Sequence, residues 1–184
     1  AKSVGRPTRS NCGQCHFDGG GGDAVKHGDM NGVLYYPSKN CDVHMGGMDF
    51  QCHECHETRN HKIPGRSLSV PVAEGSRSCE DCHSGAPHER TQKGEGGRNL
   101  LVHHLNRHTE HLHCQTCHSP VYAKCRPTKT WWDWSKAGDK KRKVNKDQYG
   151  MPDYSWKKGE FKWKESAKPD YLWYNGKVER YVLG

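Results

Sequence analysis

The chain has 184 residues, of which 32% are hydrophobic, with a mean hydropathy of -1.10 and a formal charge of +8. That length suits one domain, but so little apolar surface excludes a large side-chain core, since burial could not offset the entropy of ordering the chain. No run of 18 or more apolar residues occurs, so no membrane span is expected.

In chain order the first informative element is Cys12-Gly13-Gln14-Cys15-His16, followed by a glycine run at 19–22. The same Cys-x-x-Cys-His hook returns at Cys52, Cys55 and His56, at Cys79, Cys82 and His83, and at Cys114, Cys117 and His118. Two thiols at this spacing can add across the two vinyl groups of a haem, and the adjacent histidine can bind the iron from one side. Paired Cys-x-x-Cys hooks also build four-thiolate zinc sites. Zinc needs no histidine after the second cysteine, however, and all four hooks have one. Four covalent haems c are therefore predicted, held by Cys12, Cys15, Cys52, Cys55, Cys79, Cys82, Cys114 and Cys117, with His16, His56, His83 and His118 as proximal ligands.

The hooks start at intervals of 40, 27 and 35 residues, too irregular for a solenoid of equal repeats. Turn-rich segments separate them at 45–48, 63–65 and 94–97. A helix is predicted from about Asn99 to Cys117, on the spacing of Leu100, Leu101, Leu105 and Leu112, and it carries His104, His108 and His111 on one face. From Lys124 onward there is no hook, yet all six tryptophans lie there, with Trp156 and Trp163 set among lysine and glutamate over 156–163. Such a segment reads as an aromatic cover over haem edges or as a surface completed by a second subunit.

The expected fold is a multihaem c-type cytochrome made mostly of loops and turns, with a few short α-helices, little β-structure and a core formed by the haems. Residues 1–123 form the tetrahaem core in this reading, and residues 124–184 a haem-free aromatic and basic tail packing on that core or on a neighbouring subunit. Two propionates on each haem would offset the basic charge, so the lysines and arginines read as propionate partners and a solvated face, with no nucleic-acid partner expected.

An iron with an open axial position binds small molecules, whereas one with two strong protein ligands only passes electrons. Fourteen histidines less four proximal ones leave ten for four distal positions, so bis-histidine ligation is expected throughout. His88, five residues after a hook, and His104 and His111 on the predicted helix are candidates. His53 lies inside a hook and His113 abuts one, so neither is assigned. Met30, Met45, Met48 and Met151 offer an alternative ligand type, against a role in filling gaps beside porphyrin. Cys41 and Cys125, the cysteines outside the hooks, are predicted to form one disulfide or, failing that, free or intermolecular thiols. Haem attachment of this kind is completed outside the cytoplasm, and the start at Ala1-Lys2-Ser3 reads as one left by removal of an export signal.

Whole segments carry a resemblance. They are Asn11 to Phe17 with Gly19 to Gly22 and His27-Gly28-Asp29, then Asp42-Val43-His44-Met45, Asn60-His61-Lys62-Ile63, Leu105-Asn106-Arg107-His108 and Cys114 to Pro120. Pro127-Thr128-Lys129, Trp132 to Gly138, Lys168-Pro169, Trp173 to Gly176 and Arg180-Tyr181 continue it. Together they resemble the middle part of the octahaem tetrathionate reductase family of c-type cytochromes, over almost all of this chain. The resemblance implies His27, His44, His61 and His108 as distal ligands. The family's catalytic haem has a lysine ligand, and no hook here matches it, so the resemblance implies the electron-relay portion and not the reductase centre.

A four-haem unit of this layout is similar to the subunits of extracellular cytochrome filaments. The expected function is electron transfer through four bis-histidine haems c in such a filament, built by head-to-tail self-association and serving redox proteins or extracellular acceptors. A surplus histidine, His111 or His104 first, would then reach a neighbour's iron. The alternatives are a multihaem reductase of tetrathionate, nitrite or hydroxylamine type, and a soluble periplasmic carrier.

Overall fold

The structure, a computed structural model, describes residues 4–25, 28–57, 59–63, 77–91 and 98–173. Contacts divide the chain into two units, one of Ala1–Cys52 with Val121–Pro169 and the other of His53–Pro120 with Asp170–Gly184. Along the sequence the second unit is thus largely an insertion into the first.

In the first unit, helix α1 (Arg9–His16) opens where the Asn11 side chain accepts the Thr8 backbone N–H at 2.9 Å. A 3-10 turn at Gly32–Tyr35 and the one-turn helix α2 (Met45–Met48) follow. The hook-free segment supplies strands β1 (Thr128–Asp133), β2 (Tyr154–Ser155) and β3 (Gly159–Lys164), in the antiparallel order β1-β3-β2. β3 is central because it alternates: Gly159, Phe161 and Trp163 point inward, while Lys162 and Lys164 reach solvent. Gly159 has a positive φ of 79°, and a Cβ there would collide with the Asp133 carbonyl, so only glycine lets β3 start against the end of β1.

Phe161 and Trp163 pack with Ala24 and Val25 from the loop after the first hook, and Trp132, Tyr149 and Met151 close this small core. The Ala24 carbonyl accepts from the Thr128 hydroxyl at 2.9 Å and the Lys129 N–H at 3.2 Å. Asp29 accepts from the N–H groups of Ala123 and Lys124 at 3.0 and 2.7 Å, and a disulfide joins Cys41 to Cys125. Val121–Pro169 therefore fold together with the segment Ala1–Cys52.

The second unit holds α3 (Glu80–His83), a 3-10 turn at Pro87–Thr91, α4 (Arg98–Thr109) and α5 (Gln115–His118). The single helix predicted over 99–117 is thus broken after Thr109. The Thr109 hydroxyl donates to the Asn106 carbonyl at 2.7 Å, taking the acceptor that the Glu110 N–H would need to continue the helix. Glu110 donates to Arg107 instead, tightening the turn. Short helices, one small sheet and long irregular stretches are the fold class the sequence implies.

Candidate haem sites

Each hook is a single turn of helix or close to one. The first is the C-terminal part of α1, the third and fourth are α3 and α5 with Cys79 and Cys114 at their N-caps, and the second begins on the 3-10 turn Cys52–Glu54. The His83 N–H donates to Cys79 at 2.8 Å and the His118 N–H to Cys114 at 2.9 Å. One such turn puts residues i, i+3 and i+4 on a common side, so the spacing presents two thiols and one imidazole together. In every hook the second cysteine and the histidine are exposed, and the first cysteine is half-buried. In the first hook, Gly13 leaves room for the Phe17 ring, which meets Tyr35 edge-on at 4.7 Å; a Cβ there would run into both rings.

The half-buried thiols lie in pairs. Cys12 sits beside Cys52, whose thiol is pushed up by burial first and by the neighbouring sulfur second. Cys79 sits beside Cys114, whose thiol is pushed up to about 11 by burial, then by Cys79, then by the Glu80 carboxylate 3.8 Å away. Among the described residues no group of three or more histidine, cysteine or acidic side chains converges on one point, as a four-thiolate zinc site would require.

Arg9 ties together the two segments that carry the first pair. Its buried guanidinium donates to the Phe50 carbonyl at 2.6 Å and the Asp49 carboxylate at 2.7 Å, and its backbone N–H donates to the Gln51 side chain at 3.0 Å. Three consecutive residues just before Cys52 are thereby fastened to the first turn of the helix that carries Cys12. Sequence reasoning missed Arg9, and no motif marks it among 29 lysines and arginines.

Of the histidines assigned as distal ligands, His27 lies outside the described residues. His44 caps α2, is exposed, and stacks on Phe50 at 5.7 Å between centroids. His61 occupies a left-handed turn position with φ 57° in the Arg59–Lys62 bridge. His104 and His108 are exposed on α4, and His111 is exposed just beyond it. His88 stands apart from these. Its ring and that of His118 have centroids 6.2 Å apart and planes 16° from parallel. Two imidazoles bound to one iron through bonds of about 2 Å, from opposite sides, place their centroids about 6 Å apart, a separation that this pair matches.

Short helical hooks on a loop-rich chain, with thiols and imidazoles presented at haem spacing, define a multihaem c-type cytochrome. A sequence model of the family described as Cytochrome c bacterial matches residues 129–184. The structure of the octaheme cytochrome c from Shewanella oneidensis is similar at a TM-score of 0.77 and 44% identity, over 100% of this chain and 38% of that one. No curated protein matches. The chain thus spans well under half the length of the octahaem relative, to which it is related. The likeness to c-type cytochromes supports covalent attachment of haem c, and with it export out of the cytoplasm. Among the described residues no helix is long and apolar enough to cross a membrane.

Proposed function

We propose that this chain carries electrons through four haems c, one at each hook, with every iron held by two histidines, and that it does so as the repeating subunit of an extracellular filament. The observation that carries the electron-relay reading is the pairing of Cys12 with Cys52 and of Cys79 with Cys114. Neighbouring attachment points bring the prosthetic groups of hooks one and two together, and likewise those of hooks three and four. Haem supplies a one-electron iron couple when bound. The chain's own residues do the rest: the thiols fix spacing, the histidines close both axial positions against small molecules, and the surrounding side chains set solvent access. His16, His56, His83 and His118 serve as proximal ligands. His27, His44, His61 and His108 are the distal set implied by resemblance; the ring geometry favours His88 opposite His118 instead, which makes one of those four surplus.

The filament reading draws support from the exposed apolar residues Leu172 and Trp173, 90% and 85% accessible. A contact between such a segment and a different surface of the next copy need not close into a ring, and it then repeats indefinitely. The test is to purify the holoprotein, count haems from the intact mass and each hook peptide, record low-spin and high-spin signals, add carbon monoxide to the reduced form, and image the particles. Four haems, low-spin spectra, no carbon monoxide adduct and filaments are expected. A stoichiometric carbon monoxide adduct would favour the reductase reading. A monodisperse monomer with all irons six-coordinate would leave a periplasmic carrier.

A further inference from the structure

The Asn106 side chain reaches His88 across 18 residues of sequence. Its Oδ1 lies 3.2 Å from the His88 backbone nitrogen and 3.0 Å from His88 Nδ1. The backbone N–H can only donate, so the Asn106 atom it meets is the carbonyl oxygen and not the amide nitrogen. The same oxygen then accepts from Nδ1, which must carry the ring proton. In that tautomer Nε2 carries the lone pair, and the His88 and His118 rings lie 6.2 Å apart with planes 16° from parallel. Two hydrogen bonds to one oxygen fix both the backbone position and the ring orientation of His88.

We propose that Asn106 is the positioning residue for an axial ligand: it holds His88 as the Nδ1–H tautomer opposite His118, and through that hydrogen bond it tunes the haem attached at Cys114 and Cys117. The inference rests on the four-haem reading and adds to it a specific ligand pair and the group that controls it. A hydrogen bond from the remote ring nitrogen makes an imidazole a stronger electron donor, more so when the acceptor is charged, and a stronger donor favours ferric iron. Asn106 is well suited because its own helix holds it. It lies in the last turn of α4, where its carbonyl takes the Thr109 hydroxyl and its side chain is left to reach the turn that bears His88. Sequence alone placed Asn106 only inside a segment of family resemblance, and nothing in it tied residue 106 to residue 88.

The test uses the full haem-loaded protein and spectroscopic and potentiometric readouts. His88→Ala should turn one haem high-spin and let it bind carbon monoxide, and added imidazole should restore the low-spin signal. Asn106→Asp, which keeps an acceptor and charges it, should leave every haem low-spin and lower one midpoint potential. Asn106→Leu, which removes the acceptor, should raise that same potential, with the other haems unmoved in both variants. Should either substitution at 106 prevent folding, the other together with His88→Ala still decides the matter. An all-low-spin spectrum for His88→Ala overturns the ligand assignment. Shifts of the same sign in the two Asn106 variants overturn the tuning role and leave only a structural one. Absence of haem on the peptide spanning Cys114 to His118 in the unaltered protein overturns the four-haem reading itself, and the inference with it.

Discussion

Arg9→Met should cost this protein about 3 kcal/mol of stability, by removing the charged donor that fastens the first hook to the second. The Arg9 side chain is 10% exposed, while the Asp49 carboxylate it meets is 81% exposed. Hydrogen bonds to charged groups contribute about 1.5–3 kcal/mol each, and the 2.6 Å bond to the Phe50 carbonyl belongs at the upper end because it is sheltered. The Asp49 bond belongs near or below the lower end, since water screens it. The contacts to Tyr35 and Met45, both at 3.4 Å, are too long to add much. Methionine keeps most of the packing of the stem and offsets part of the loss, while the Gln51 bond to the backbone survives. Urea unfolding of the oxidised holoprotein, followed in parallel by haem absorbance and far-ultraviolet circular dichroism, measures the difference at constant slope. A change below about 1 kcal/mol would refute the reasoning, since it would mean that the 49–51 segment finds its place without Arg9.

Two further outcomes are expected. Replacing Cys41 and Cys125 together with serine releases a loop of sequence separation 84, for which chain entropy gives an upper limit of about 4.5 kcal/mol. The same urea titration should show a loss of about 2 to 4 kcal/mol, and a loss under about 1 kcal/mol would count against a stapling role. Lys129, 6% exposed in β1, is pushed down from 10.5 to about 8 by burial and, secondarily, by Lys158, although the Phe161 ring 3.4 Å from its ammonium favours the charge. Between pH 8 and 10.5 the unfolded chain therefore binds more protons at this site, and stability gained from it rises with pH across that window. Lys129→Met should be the more stable form at pH 7 and should lose this rise; equal slopes for the two proteins from pH 8 to 10 would sink the prediction.

The hooks were legible because covalent attachment demands contiguous residues: two thiols and an imidazole within five positions describe their own local turn. The scarcity of regular structure was legible from hydropathy for the same thermodynamic reason that the haems are needed. The sheet was hidden for a physical reason. Phe161-Lys162-Trp163-Lys164 does alternate as a strand should, but its partner Thr128–Asp133 buries Thr128 and Lys129 side by side and shows no period of two. Phe161 and Trp163 lie in a core of the chain's own side chains, while Trp134 and Trp156 remain exposed. The helix broke at Thr109 because a hydroxyl competed for one carbonyl, a contest that leucine spacing does not record. Arg9 and Asn106 were invisible as functional residues because their partners lie up to 42 and 18 residues away.

Cys41 and Cys125 impose a schedule on biogenesis. Synthesis and export run from the N-terminus, so Cys41 emerges 84 residues ahead of its partner. Six hook cysteines, from Cys52 to Cys117, follow it out before Cys125 arrives. Each of them is a competing partner for as long as it stays a thiol, because exchange requires only an accessible thiolate and a disulfide to attack. A cysteine already converted to a thioether has left that competition for good. Maturation that keeps pace with export therefore leaves Cys41 a single mate, whereas oxidation that runs ahead of it diverts Cys41 into pairings that must exchange before the bond to Cys125 can form.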